Sequence, residues 1–111
     1  MNYYMHTDER EKRMRVVSKR TLREFWGNHA QAQAPLENWH DVIASRHWRG
    51  LDDLKHFFSR SVDGVGGRRY VFNIGDNFRL IAQINFAFQV AYVKFVGTHK
   101  EYDRIKDISS I

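Results

Sequence analysis

The 111 residues contain no cysteine, which excludes a disulfide framework and any thiolate-bound metal. That absence is compatible with a reducing compartment. No apolar run reaches the roughly 20 residues that a membrane-spanning helix needs, and the first residues carry no apolar segment of the kind that directs secretion. The chain is therefore expected to be soluble and cytoplasmic, with no membrane partner. Internal repeats and low-complexity stretches are also missing. There is no G-x-S-x-G nucleophile elbow, and the glycines from Gly64 to Gly67 lack the Lys-Ser/Thr of a phosphate-cradling loop. His40, His47 and His56 are not spaced as a metal set and no carboxylate pair joins them, so no metal site is expected.

Acidic residues are in deficit. Thirteen Asp and Glu stand against eighteen Lys and Arg, for a net charge of +5. Twelve of the basic residues are Arg, whose planar fork suits phosphate. Such a charge fits either an ordinary solvated surface or a polyanionic partner, and composition does not choose between them. What is present in quantity is apolar material: 42% hydrophobic residues, with three Trp and eight Phe, enough for one buried core and too much for a disordered chain. Residues 1–13, MNYYMHTDEREKR, have mixed charge and no period, and Met14 offers a second start. Residues 1–13 are read as an N-terminal extension (a tag, an upstream start or a loose arm) and 14–111 as a single domain.

Arg15–Val17 has strand character, and Ser18 is placed to cap a helix carrying Leu22, Phe25 and Trp26 on one face. The one proline, Pro35, is suited to open a second helix with Leu36, Trp39 and Ile43 inward. A short third helical turn follows Gly50, with Asp52 and Asp53 at its start. The period then changes to two. Gly64–Gly67 reads as a flexible loop, followed by strands over 69–74, 78–86 and 89–97 joined by short connections, and by a helix from about His99 to Ile108. The expected fold is α+β: a small antiparallel sheet, N-terminal helices packed on one face, and a C-terminal helix.

Alternation along the strands sorts their faces. A three-residue turn at Gly75-Asp76-Asn77 sets Asn73 opposite Arg79. A tight turn near Ala87 then puts Arg79 on one face with Lys94 and Tyr92. That face would carry Asn73, Arg79, Gln83, Tyr92 and Lys94, with Phe95 turned away alongside Ala91 and Val93. It is either a plain solvated surface or a site for an anionic, planar ligand.

The stretch Thr98-His99-Lys100-Glu101-Tyr102-Asp103 joins the last strand to the last helix. Thr98 and Glu101 form a capping box. His99, Tyr102 and Asp103 then share one helix face at i, i+3 and i+4. An imidazole can change charge near neutrality, so His99 is a candidate acid or base. An exposed His at a helix start is the plainer alternative.

The segments MRVVSKRTLREFW, RRYVFNIGDNFRLIAQINF and YVKFVGTHKEYDRI, taken in this order and spacing, resemble the HigB family of toxin–antitoxin toxins, within the RelE-like group. The resemblance covers about nine-tenths of the chain and leaves residues 1–13 unexplained. It implies a RelE-like fold and an endoribonuclease of the mRNA interferase kind, cutting mRNA on the ribosome without a metal or other cofactor. The implied step is attack of a ribose 2′-OH on the adjacent phosphorus. By matching motif, His99 would handle a proton, Tyr102 and Asp103 would orient it or the RNA, Arg79 would hold the scissile phosphate, Lys94 would supply a second cation, and Asn73 would bond a base or the 2′-OH. Arg68, Arg69, Gln83, Tyr92 and Lys100 would contact RNA. The implied partners are a HigA-type helix-turn-helix antitoxin in a hetero-oligomer, the ribosome and mRNA, and operator DNA only through the antitoxin. The competing expectation is an inactive RNA- or ribosome-binding module of the same fold.

Overall fold

The computed structural model describes residues 12–111, so most of the expected extension lies outside the described residues. Strand β1 is Arg15–Val17 and helix α1 is Lys19–Asn28. A 3-10 turn at Ala30–Ala32 leads into α2, Gln33–Ala44, and α3 is Leu51–Phe58. Four further strands follow: β2 Val62–Gly66, β3 Arg69–Ile74, β4 Phe78–Asn85 and β5 Val90–Thr98. Helix α4 is His99–Asp103, and a 3-10 turn at Ile108–Ser110 ends the described chain. Ser18 caps α1 as its sequence suggests, accepting from the Thr21 N–H at 3.3 Å.

The protein is α+β, with a five-stranded sheet in the order β1-β5-β4-β3-β2. Two features depart from the sequence expectation. The sheet is mixed, because β1 lies parallel to β5, pairing Arg15 with Val90 and Val17 with Tyr92. No tight turn joins these two strands, so nothing local imposes an antiparallel course on β1. The glycine-rich stretch is a strand as well. β2 pairs antiparallel with β3, Val62 against Phe72 and Gly64 against Tyr70. A Cβ on Gly64 would lie 3.4 Å from the Tyr70 ring and from Leu51, so the aromatic ring fills the space the glycine leaves.

The core lies between the helices and one sheet face. Leu22, Leu36, Trp39, Ile43, Trp48 and Leu54 meet Phe72, Leu80, Ala82, Ile84 and Ala91 there. Phe72 stands edge-on to Trp39 and Phe58, with ring centroids 5.4 and 5.3 Å away. Met14 is buried in this core, and its N–H donates to the Arg46 carbonyl at 3.0 Å. One polar residue is as deeply buried. The Gln89 side chain accepts from the Trp48 N–H at 2.9 Å and donates to the carbonyls of Trp48 and Phe86, each at 2.6 Å. The Gln89 backbone carbonyl accepts from the Arg15 N–H, so this one residue ties together the β4–β5 hairpin, the loop before α3 and, through its main chain, β1.

The opposite sheet face is less open than expected. β5 gains one residue at Lys94: Ile81 pairs with Phe95, while Ala82 pairs with Val93. Alternation counted from Tyr92 keeps Lys94 on the face of Arg79. Counted back from Gly97, it turns Phe95 to that face too and sends Val96 to the core. The expectation that Phe95 sides with Ala91 and Val93 is thereby corrected. The last helix is also shorter than expected, five residues instead of ten. The segment beyond it crosses to β3, where the Arg69 guanidinium donates to the Ile111 carbonyl. Val71 and Ile81, on this face but outside the core cluster, are buried at 7% and 0% exposure.

Candidate active site

The β3–β4 pairing sets Asn73 directly across from Arg79, as the three-residue turn requires. Arg79 in turn faces Gly97 on β5, and Phe78 faces Thr98. The next residue is His99, whose N–H donates to the Asn77 carbonyl at 3.0 Å and so holds the start of α4 against the β3–β4 turn. The capping box is formed: Thr98 Oγ1 accepts from the Glu101 N–H at 3.1 Å, and Glu101 Oε1 accepts from the Thr98 N–H at 2.8 Å. Asn73, Arg79 and His99 therefore occupy one corner of the sheet, brought there by two hairpin registers and one helix cap.

Within the corner, His99 Nδ1 lies 3.1 Å from Asp103 Oδ2, one helical turn on. With Nδ1–H donating to that carboxylate, Nε2 is the ring nitrogen left to face outward. Both side chains are more than half exposed. Arg79 is half-buried and donates to the Phe78 carbonyl at 3.0 Å, and among the described residues no carboxylate pairs with it. Tyr102 is half-buried on the His99 face of α4, while Lys100 is exposed. Lys94 is exposed at the bulge, three residues before Gly97.

The remaining expected contacts lie elsewhere. Arg69, Gln83 and Tyr92 form one cross-strand row. Four residue steps along β4 separate that row from Arg79, roughly 13 Å at the usual strand rise. Arg69 is occupied by the carbonyls of Ile111 and Gly67. Arg68 stands exposed in the β2–β3 turn. Residues that sequence reasoning passed over also shape the corner. A Cβ on Gly97 would collide with the Phe95 ring and come within 2.8 Å of Glu101 Oε1, so only glycine lets ring and cap sit together. The bulge that moves Phe95 has no signature in the sequence. Beside Asn73, a cleft of about 260 Å³ opens, with Asn38, Trp39, Phe57 and Ser61 among its walls. Among the described residues no three His, Asp or Glu side chains gather where they could hold a metal ion.

Residues 32–105 match HigB_toxin, described as the RelE-like toxic component of a toxin-antitoxin system. The chain belongs to this family. The matched span runs from the start of α2 to just past α4 and holds the whole corner. The chain is also 31% identical over 93 residues to the mRNA interferase toxin HigB of Escherichia coli K12, covering 81% of this chain and 88% of the relative. The proteins named mRNA interferase HigB in Escherichia coli O157:H7 and Shigella flexneri match to the same extent. A toxin of this family implies an antitoxin partner. No helix among the described residues is long and apolar enough to cross a membrane.

Proposed function

We propose that this HigB-family toxin is an endoribonuclease that cleaves mRNA on the ribosome, without a metal, at the corner formed by Arg79, Asn73 and His99. The observation that carries the reading is that corner: a guanidinium with no carboxylate partner among the described residues and a carboxylate-oriented imidazole, both at the junction of β4, β5 and α4. Cleavage of a ribonucleotide linkage by its own 2′-OH needs two proton transfers and a cation. The 2′-oxygen loses a proton as it attacks phosphorus in line, and the departing 5′-oxygen gains one. The products are a 2′,3′-cyclic phosphate and a 5′-hydroxyl. His99 Nε2 handles one proton, held in its tautomer by Asp103. Tyr102 on the same helix face and Lys94 at the bulge are the groups available for the other. Arg79, with Lys94, stabilises the charge that grows on the phosphoryl oxygens. Asn73 bonds the ribose or its base.

The reading places the protein in the cytoplasm, in a hetero-oligomer with a HigA-type helix-turn-helix antitoxin through which alone operator DNA is contacted. The test is a purified system in which programmed ribosomes are incubated with the toxin, with and without a chelator, and RNA ends are mapped. Expected are cuts in the A-site codon, insensitive to chelator, bearing cyclic phosphate and 5′-hydroxyl ends. Intact message under conditions where the protein binds ribosomes would instead mark an inactive binding module.

A further inference from the structure

β2 stops pairing with β3 at Val62–Phe72, so Asn73 and Ile74 have no neighbouring strand on that side. The cleft of about 260 Å³ lies at this gap. Asn38 and Trp39 of α2, Phe57 of α3, and Ser61 and Asn73 supply its chemistry. Among the described residues not one that lines it is charged, although the protein carries +5. The lining itself offers a phosphate no countercharge, and the nearby Arg46 guanidinium is already stacked on Phe57 and Trp48, 4.3 and 5.0 Å from their ring centroids. Two carboxamides and a hydroxyl instead offer several donors and acceptors. Phe57 is 49% exposed and gives an aromatic wall, and the Trp39 indole N–H is buried without an acceptor among the described residues. The volume falls just under the usual range for drug-sized ligands, about 300–1,000 Å³, and suits one small planar group. Asn73 belongs both to the cleft and to the cross-strand pair with Arg79.

Resting on the reading above, we propose that this cleft is a base-recognition subsite. It takes the nucleobase flanking the linkage that Arg79 holds, with Asn38 and Asn73 reading its hydrogen-bonding edge and Phe57, whose ring also carries the Arg46 guanidinium, forming an aromatic wall beside it. The cleft thereby sets which nucleotide the toxin prefers beside the cut. A protein side chain in the same place would make it a docking point instead, which the test distinguishes.

Cleavage positions are mapped on one mRNA pool for wild type, Asn38→Ala and Asn38→Asp, each checked for unchanged thermal unfolding. Expected for wild type is a base preference at one position next to the cut. Asn38→Ala should flatten that preference about tenfold, and Asn38→Asp, which replaces donors with acceptors, should move it to another base. Identical base profiles in all three proteins overturn the subsite, as does an Asn38→Ala defect confined to antitoxin binding. In parallel, wild type is titrated with each of the four nucleoside monophosphates while the Trp39 indole N–H is followed by NMR. A shift selective for one of the four bases supports the subsite even if no cleavage is seen, in which case only the nuclease reading fails. Equal or absent shifts for all four overturn it.

Discussion

Arg79 shows what a single residue contributes at the corner. Its neighbours on the strand face are Asn73 and Gly97, and its guanidinium meets no carboxylate among the described residues. Removing a preorganised donor to a developing charge typically costs about a hundredfold to a thousandfold in rate, so Arg79→Ala should slow cleavage by about that much at unchanged thermal stability. Single-turnover cleavage together with thermal unfolding checks this, and loss of fold instead of rate would refute the role. Gly97 acts differently. Alanine there would collide with the Phe95 ring and crowd the carboxylate that completes the helix cap. Overpacking of this kind costs roughly 1–3 kcal/mol, which urea unfolding of Gly97→Ala should register. The Asn73–Arg79 pair was legible beforehand because turn length and alternation leave one sensible register. Phe95 was not, because an inserted residue reverses every later side chain and no residue type announces it.

At the scale of elements, the helices and the three hairpin-linked strands followed from their apolar periods. The exceptions were segments whose structure depends on a distant partner. β2 has two glycines in five residues, and it is a strand because Phe72 and Tyr70 of β3 pair with and cover it. The stretch after α4 has helix-spaced Ile105 and Ile108, yet leaves the helix to cross the sheet and end on Arg69. Asp107 organises that crossing. Its carboxylate accepts from the Ser109 hydroxyl at 2.7 Å and from the Ser109 N–H at 3.2 Å. Chiefly the Ser109 hydroxyl, with lesser help from Ser110 and Arg69, holds its pKa below the ordinary value of 3.8. A carboxyl held low stabilises the folded segment fully above that ordinary value, and the effect is lost as pH falls through the lower folded value. Amide protection in residues 105–111, meaning exchange corrected for the intrinsic rate at each pH, should therefore be flat from neutrality down to about pH 4 and fall below it. Asp107→Asn should show the faster exchange already at neutral pH. Equal protection in both proteins at pH 7 would detach Asp107 from the segment. Gln89 makes a comparable claim on stability: Gln89→Leu strands the Trp48 N–H and two carbonyls, at about 1–3 kcal/mol for a buried group left unpaired. Chemical denaturation measures that loss directly.

For the whole molecule, the proposed function raises the question of where the positive charge would meet RNA. Binding to a single strand releases counterions, and log K falls with log salt at about 0.7 per phosphate neutralised. Arg79, Lys94, Lys100 and Arg68 are among the cations that the fold leaves available around the corner and the β2–β3 turn, and they are the four that the proposed reading puts on RNA. Four such contacts give a slope near −3, measurable by fluorescence anisotropy on a short RNA with His99→Ala protein so that the strand survives. Substituting Arg68 or Lys100 by Ala in that background should each flatten the slope by about 0.7. Arg69 separates two pictures of the molecule. Its motif marks it as an RNA contact, yet its guanidinium already serves the carbonyls of Ile111 and Gly67. If those bonds persist when RNA binds, Arg69→Ala lowers thermal stability and leaves the slope as it was. A slope flattened as much as by Arg68→Ala would mean that RNA displaces the crossing segment, and the sheet face it covers would then belong to the binding surface.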